Sequence, residues 1–240
     1  VTKPSKDYFL DERWPNHVVV TTDESLPDES RTREFWTEHN RRLFYPVGNF
    51  LWNPISRCGA RELVGRRCRH GLALDLGCGN NRVDRHLTGE FGVKGVVGVD
   101  FAPGCKADVV GEAIALPFQS GTFSLVWCYG LLPYVPDVAG LVQEAWRVLA
   151  HDGVLVLYTE YASSERLVVA YRNKQRDRGI GDRRIEHLAP IASFVVSIAE
   201  AFGFRCLGIH VDRNGVWEEG EISGVPWRSP VNTVMAFEKE

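Results

Sequence analysis

The chain has 240 residues, of which 44% are hydrophobic and 25% charged, an ordinary globular composition with enough length to bury a full core. Its 28 basic and 31 acidic side chains leave a formal charge of -3, which offers no basic surface for nucleic acid. The six cysteines form no C-x-x-C pair, no apolar run reaches the roughly 18 residues of a membrane span, and the polar start shows no secretory pattern; a cytoplasmic protein with reduced thiols, no metal site and no membrane contact is expected.

Residues 1–28 are polar and carry one β-like run, Val18-Val19-Val20, which reads as an arm or a loosely packed lid. Residues 30–45 read as a helix, with Phe35, Trp36, His39 and Leu43 near one face. Asn53-Pro54 reads as an N-cap followed by proline at the first helical position. That helix should run to about Arg67, with Gly65 as a possible earlier stop. The basic run Arg66, Arg67, Arg69 and His70 reads as a solvated helix end. Residues 1–70 are thus expected to form an N-terminal arm and helical cap. Its aromatics, among them Trp14, Trp36, Phe44 and Trp52, form either a helical core or the roof of an apolar pocket.

From Leu72 the texture changes. Residues 72–76 form a short apolar strand, 81–87 a short helix closed by Gly89, and 93–99 a second strand. A brief third strand falls at Asp108-Val109-Val110 and a fourth at 123–128. Val138, Leu141, Val142, Ala145 and Leu149 mark a helix of 3.6-residue period. Gly153 opens a fifth strand over 154–158. Short apolar strands spaced by helices predict a mostly parallel sheet covered on both faces. Residues 163–178 read as a charged helix, within an insert or lid over about 160–190. Pro190 should open a further helix, ended by Gly203. Two strands, 204–211 and 231–237, then follow with no helix between them and predict an antiparallel hairpin at the sheet edge. The fold class is α/β: a Rossmann-like open sheet over 71–240 with helices on both faces and a helical N-terminal extension.

The chemistry centres on Leu74-Asp75-Leu76-Gly77-Cys78-Gly79-Asn80-Asn81, which follows a strand and opens a helix. Glycine at 77 and 79 lets the backbone turn sharply and approach a ligand. Asp100 lies about 20 residues on, at the end of the next strand, where a carboxylate can accept hydrogen bonds from both ribose hydroxyls. A pyrophosphate loop would want a third small residue where Arg82 stands, so a dinucleotide fits poorly.

The stretch 72–158 resembles the core of class I S-adenosylmethionine-dependent methyltransferases, particularly the small-molecule, ubiquinone-biosynthesis-like type. Three further segments carry the resemblance: Val97-Gly98-Val99-Asp100-Phe101; Gly111-Glu112-Ala113-Ile114-Ala115-Leu116-Pro117-Phe118 followed by Gly121-Thr122-Phe123; and 144–149 followed by Gly153-Val154-Leu155. Together they span about a third of the chain; the first 70 residues match no family pattern. The resemblance implies S-adenosylmethionine as cofactor. It places Asp75 and Gly77 at the methionine end, Cys78, Gly79 and Asn80 in the loop beneath, Asp100 on the ribose, Phe101 on the adenine ring, and Glu112 with the Ala113 backbone by the adenine amino group. Cys128, Tyr129 and Gly130 would lie near the transferred methyl.

The sequence also departs from the family. Glu112 stands where aspartate is commoner, Ser124 replaces a frequent aspartate, and Leu132-Pro133-Tyr134 falls where many relatives carry histidines. Neither Asn-Pro-Pro-Tyr nor Asp-Pro-Pro-Tyr follows the fourth strand, which argues against methylation of a base or amide nitrogen through that arrangement. Methyl transfer from a sulfonium is an in-line displacement, and alignment alone can supply roughly 7–11 kcal/mol in the best intramolecular cases. A hydroxyl acceptor also needs a proton acceptor within reach. Tyr129, Glu160 and His187 are the catalytic candidates, with Tyr134 and Tyr161 as further polar groups; Arg183 and Arg184 either hold an acidic acceptor or form a solvated face. The expected partner is a small-molecule methyl acceptor (O, N or C), in a monomer or homodimer. Two alternatives remain at this level: a non-methylating reaction on the same cofactor, or an accessory subunit with a degenerate site.

Overall fold

The computed structural model describes residues 17–20, 59–80, 83–103, 105–135, 137–159, 187–190, 192–212, 219–222, 225–228 and 232–240. The expected helices at 30–45 and 163–178, the start of the helix at Asn53-Pro54, the N-terminal aromatics, and Glu160, Tyr161, Arg183 and Arg184 lie outside them.

Five strands follow from residue 72 onward, with α-helices between the first two and between the last two: β2 (Leu72–Leu76), β3 (Gly95–Asp100), β4 (Val109–Val110), β5 (Phe123–Tyr129) and β6 (Leu149–Thr159). They pair in parallel in the order β4-β3-β2-β5-β6. The last two strands of the sheet, β8 (Phe204–Asp212) and β11 (Asn232–Lys239), extend it past β6 in antiparallel sense. The result is the expected Rossmann-like α/β sheet.

Alternation along the strands builds two cores. Leu74, Leu76, Val126, Leu155, Leu157, Met235 and Phe237 point to one face. There they meet α3 (Val138–Val148) and α4 (Ala192–Ala201) through Leu141, Val142, Ala145, Val195 and Ala199. Ala73, Leu125, Trp127, Val154, Val156, Val234 and Ala236 point to the other. That face is covered by α1 (Ala60–Val64) and α2 (Asp84–Phe91) through Ala60, Val64, Leu87 and Phe91. With both faces buried, the central strands are mostly apolar, as a covered parallel sheet requires. Asp75, 4% exposed, interrupts β2.

Several boundaries differ from the sequence expectation. α2 begins at Asp84, runs through Gly89 and ends at Phe91, where Gly92 adopts φ 68° and returns its N–H to the Thr88 carbonyl. Gly89 has open space at its Cβ position, so its helical cost of about 1 kcal/mol is outweighed by seating Leu87 and Phe91 together. β6 starts at Leu149, straight out of α3, rather than at Gly153. Phe123 pairs with Leu149 and Leu125 with Val154, so residues 150–153 form an irregularity, turned by Asp152 at φ 61°. α1 stops at Gly65, the earlier of the two expected stops. The basic run beyond it is therefore turn, not helix end, and Arg67 pairs with Glu238 at 3.0 Å.

The C-terminal strands do pair antiparallel, but β11 inserts between β6 and β8 and leaves only β8 at the edge. Val234, Met235, Ala236 and Phe237 are wholly buried, which demands neighbours on both faces, whereas Ile209 of β8 is 47% exposed. The connection carries its own two-stranded ribbon, β9 (Glu219–Ile222) with β10 (Val225–Arg228). Pro190 does not open a helix: it ends β7 (His187–Pro190), and α4 starts at Ala192. β7 pairs antiparallel with β1 (His17–Val20), Val20 opposite His187, and lies against the 3-10 turn Leu132–Tyr134. The Val18-Val19-Val20 run is thus a strand tied to the segment before α4. No helix among the described residues is long and apolar enough to cross a membrane.

Candidate active site

Strand order reverses between β2 and β5, so the chain leaves the carboxyl ends of these neighbours in opposite directions. The crevice this opens is where ligands bind in open α/β sheets. The glycine loop closes one side of it. Gly77, at φ 76°, directs its N–H to the Val99 carbonyl at 2.8 Å, and the Cys78 N–H reaches the same oxygen at 3.1 Å. Gly79, at φ 49°, then donates to Asp100 Oδ2 at 2.9 Å. The loop is therefore hooked across the end of β3, and a positive φ at two positions explains why glycine stands there.

Asp100 is the other anchor. It is 8% exposed, and its Oδ1 accepts the Ala102 N–H at 2.9 Å. Burial pushes its carboxyl above the ordinary value, while the N–H groups of Ala102, Gly79 and Phe101 pull it back. Each oxygen thus accepts a backbone N–H, with the Phe101 N–H close by, and a carboxylate offers about four acceptor sites, so acceptor capacity is left for a ligand hydroxyl. The backbone N–H of Gly111 donates to the Asp100 carbonyl at 3.0 Å and ties the next segment to the same point. Asn80 Oδ1 accepts the Lys106 N–H at 3.0 Å, which fastens the loop to the turn after β3.

Glu112 and Ala113 sit in a tight turn closed by a bridge between Glu112 and Ala115. Phe101 is half-buried beside Asp100. Cys128 is buried at the end of β5, where lost hydration and the nearby Asp75 charge push its thiol far above the ordinary range. It is a neutral packing group at neutral pH and no nucleophile. Gly130, at φ 70°, has open space at its Cβ position. The structure thus gathers Asp75, Gly77, Cys78, Gly79, Asn80, Asp100 and Phe101 at the ends of β2 and β3, with Cys128, Tyr129 and Gly130 at the end of β5 beside them. His187 lies on β7, against the turn that follows β5, rather than at a helix start.

Reasoning from sequence did not single out Tyr158. Its ring stacks on Tyr129 with centroids 3.9 Å apart and planes at 18°. Tyr129 continues to Trp127 at 6.3 Å and 4°, and Trp127 to Phe91 at 6.2 Å. An aromatic row therefore crosses the sheet face from α2 to the carboxyl end of β6. The signal was an aromatic at the last position of the expected strand 154–158, whose neighbours at 154 and 156 are buried on that face, in register with Tyr129.

Known proteins agree with this geometry. A family model described as a methyltransferase domain matches residues 74–157. Residues 74–157 of the described core are thus similar to a methyltransferase domain. The chain is 30% identical to the chloroplastic tocopherol O-methyltransferase of Arabidopsis thaliana, over 52% of this chain and 44% of that protein. It is 33% identical to the 2-methyl-6-phytyl-1,4-hydroquinone methyltransferase of a Synechocystis strain, over 35% and 30%. The norajmaline N-methyltransferase of Rauvolfia serpentina is 30% identical over 50% of each chain. The matched regions thus span at most half the length of these three relatives. Among solved structures, an S-adenosylmethionine-dependent methyltransferase from Archaeoglobus fulgidus shares the fold with TM-score 0.55 at 15% identity, covering 78% of this chain and 95% of its own. The geranyl diphosphate C-methyltransferase of Streptomyces coelicolor, solved with S-adenosyl-L-homocysteine, has TM-score 0.53 at 13% identity, covering 75% and 76%.

Proposed function

We propose that the protein transfers the methyl group of S-adenosylmethionine to a small-molecule acceptor at an O, N or C atom. The observation that carries this reading is the hook of Gly77–Gly79 onto Val99 and Asp100, which sets a buried carboxylate with acceptor capacity to spare at the strand-order reversal. The donor set fits the cofactor: a carboxylate for a vicinal diol, glycine turns that admit close approach, and Phe101 for a flat ring. When bound, S-adenosylmethionine supplies a sulfonium-activated methyl group.

The chain's own residues do the rest. Asp100 holds the ribose hydroxyls. Asp75 and the loop from Gly77 to Asn80 line the methionine end. Glu112 and the Ala113 backbone meet the adenine edge. Tyr129 and Tyr158, stacked at the ends of β5 and β6, form a wall that orients an acceptor. Tyr129, Glu160 and His187 are the groups that would take a proton from a hydroxyl acceptor. The small-molecule substrates named for the tocopherol, hydroquinone and alkaloid relatives support this acceptor class.

Calorimetry with S-adenosylmethionine and S-adenosylhomocysteine tests the cofactor half, with sub-millimolar binding expected. Transfer of radiolabelled methyl into a small-molecule extract tests the other half. Binding without any labelled product would move the reading to a non-methylating or accessory role.

A further inference from the structure

Residues 111–118 form no helix or strand, yet the chain grips this segment at both ends. At its start, Gly111 donates to the Asp100 carbonyl at 3.0 Å. Ala115 then donates to the Glu112 carbonyl at 3.1 Å and closes the turn that carries Glu112 and Ala113. At its far end, two side chains of α3 take hold. Glu144 Oε2 accepts the Leu116 N–H at 2.7 Å. Arg147 donates from Nη2 to the Leu116 carbonyl at 2.8 Å and from Nη1 to the Phe118 carbonyl at 2.6 Å.

The two side chains also lock each other. Arg147 meets Glu144 in a fork, Nε to Oε1 at 2.7 Å and Nη2 to Oε2 at 2.8 Å. A fork of this kind fixes orientation as well as distance. A surface pair spaced i,i+3 contributes little to stability by itself. This pair, however, directs its remaining hydrogen-bonding capacity into backbone groups about 30 residues away in sequence. Leu116, which it holds, is 5% exposed and belongs to the core. The clamp therefore sets where the Glu112–Ala113 turn stands relative to Asp100.

We infer that Glu144 and Arg147 are positioning residues for base recognition: by holding Leu116 and Phe118 they fix the turn against which the adenine edge lies. The inference rests on the cofactor reading above. It predicts that the clamp governs discrimination at the base, a property that a merely stabilising ion pair would leave alone.

The test compares S-adenosylhomocysteine with S-inosylhomocysteine, which carries oxygen in place of the adenine amino group, by calorimetry. The proteins are wild type, Glu144→Gln, Arg147→Lys and Arg147→Met, each with a melting curve. Wild type should prefer the adenine compound by about tenfold, the scale of one well-made hydrogen bond. Arg147→Met should bring the two ligands to within about twofold, with Glu144→Gln and Arg147→Lys between. If Arg147→Met does not fold, Arg147→Lys carries the test, since it keeps the charge and loses the fork. An unchanged ratio, or equal weakening of both ligands in step with lower melting, overturns the inference and leaves the cofactor reading intact. Wild type binding neither compound overturns both.

Discussion

Replacing Asp100 by asparagine probes the site at its most defined atom pair. The side chain keeps its shape and loses its charge. In the wild type each oxygen accepts one backbone N–H, from Gly79 and from Ala102, both at 2.9 Å. The amide keeps one acceptor oxygen and turns an NH2 group toward the other peptide N–H, a donor facing a donor. One ribose hydroxyl then loses its charged acceptor and the other keeps a neutral one. Hydrogen bonds to charged groups contribute about 1.5–3 kcal/mol and neutral ones about 1 kcal/mol, so the binding loss should be about 2–4 kcal/mol, or about 30- to 1,000-fold in Kd. Fold stability should change less. Burial already disfavours the charged carboxyl, so removing the charge relieves desolvation while the Gly79 or Ala102 contact is lost. The assay is calorimetry with S-adenosylhomocysteine beside a melting curve. Binding within about threefold of wild type, on a variant that melts normally, would refute the argument that Asp100 holds the ribose.

The affinity for S-adenosylhomocysteine should fall on acidification, beginning above the ordinary aspartate value of 3.8, because the Asp100 pKa is raised and the ligand needs the anion; the dependence should vanish in Asp100→Asn. The same shift has the opposite sign for the unliganded fold, which loses stability as pH rises through the shifted value. Glu144 titrates the other way: the Arg147 hydrogen bond holds it below its ordinary 4.5, so its stabilisation is full above that value and lost as pH falls through the depressed one, and acid melting curves of Glu144→Gln should be flatter. Gly77→Ala forces a side chain to φ 76° and sets its Cβ 3.1 Å from Leu131, so melting should drop by the equivalent of about 1 kcal/mol or more and cofactor affinity should fall with it. Trp127 is wholly buried and its indole N–H has no hydrogen-bond partner among the described residues. Trp127→Phe should therefore cost about 1 kcal/mol, well short of the roughly 3–5 kcal/mol of a truncation to alanine, because it removes an unsatisfied donor along with the lost volume; chemical denaturation reads the difference.

The sequence by itself determined the parts whose causes are local. Short apolar runs, helical periodicity and turn residues marked β2, β3, β5 and α3 close to their observed limits. The spacing of Gly77, Gly79 and Asp100 announced a ligand loop because positive φ and a strand-end carboxylate are requirements of single positions. What the sequence could not decide were matters of partnership. The helix runs through Gly89 and halts at Gly92, which takes φ 68°, with Leu87 and Phe91 seated together in the core. The place of β11 inside the sheet follows from burial on both its faces, not from its neighbour in sequence. Tyr158 joined Tyr129 through the β5–β6 register, and the Glu144–Arg147 clamp met residues 116–118 across a sequence distance that no local pattern spans. Local conformational rules name the loop proposed to meet the cofactor; long-range packing decides which side chains hold that loop, and its neighbours, in place.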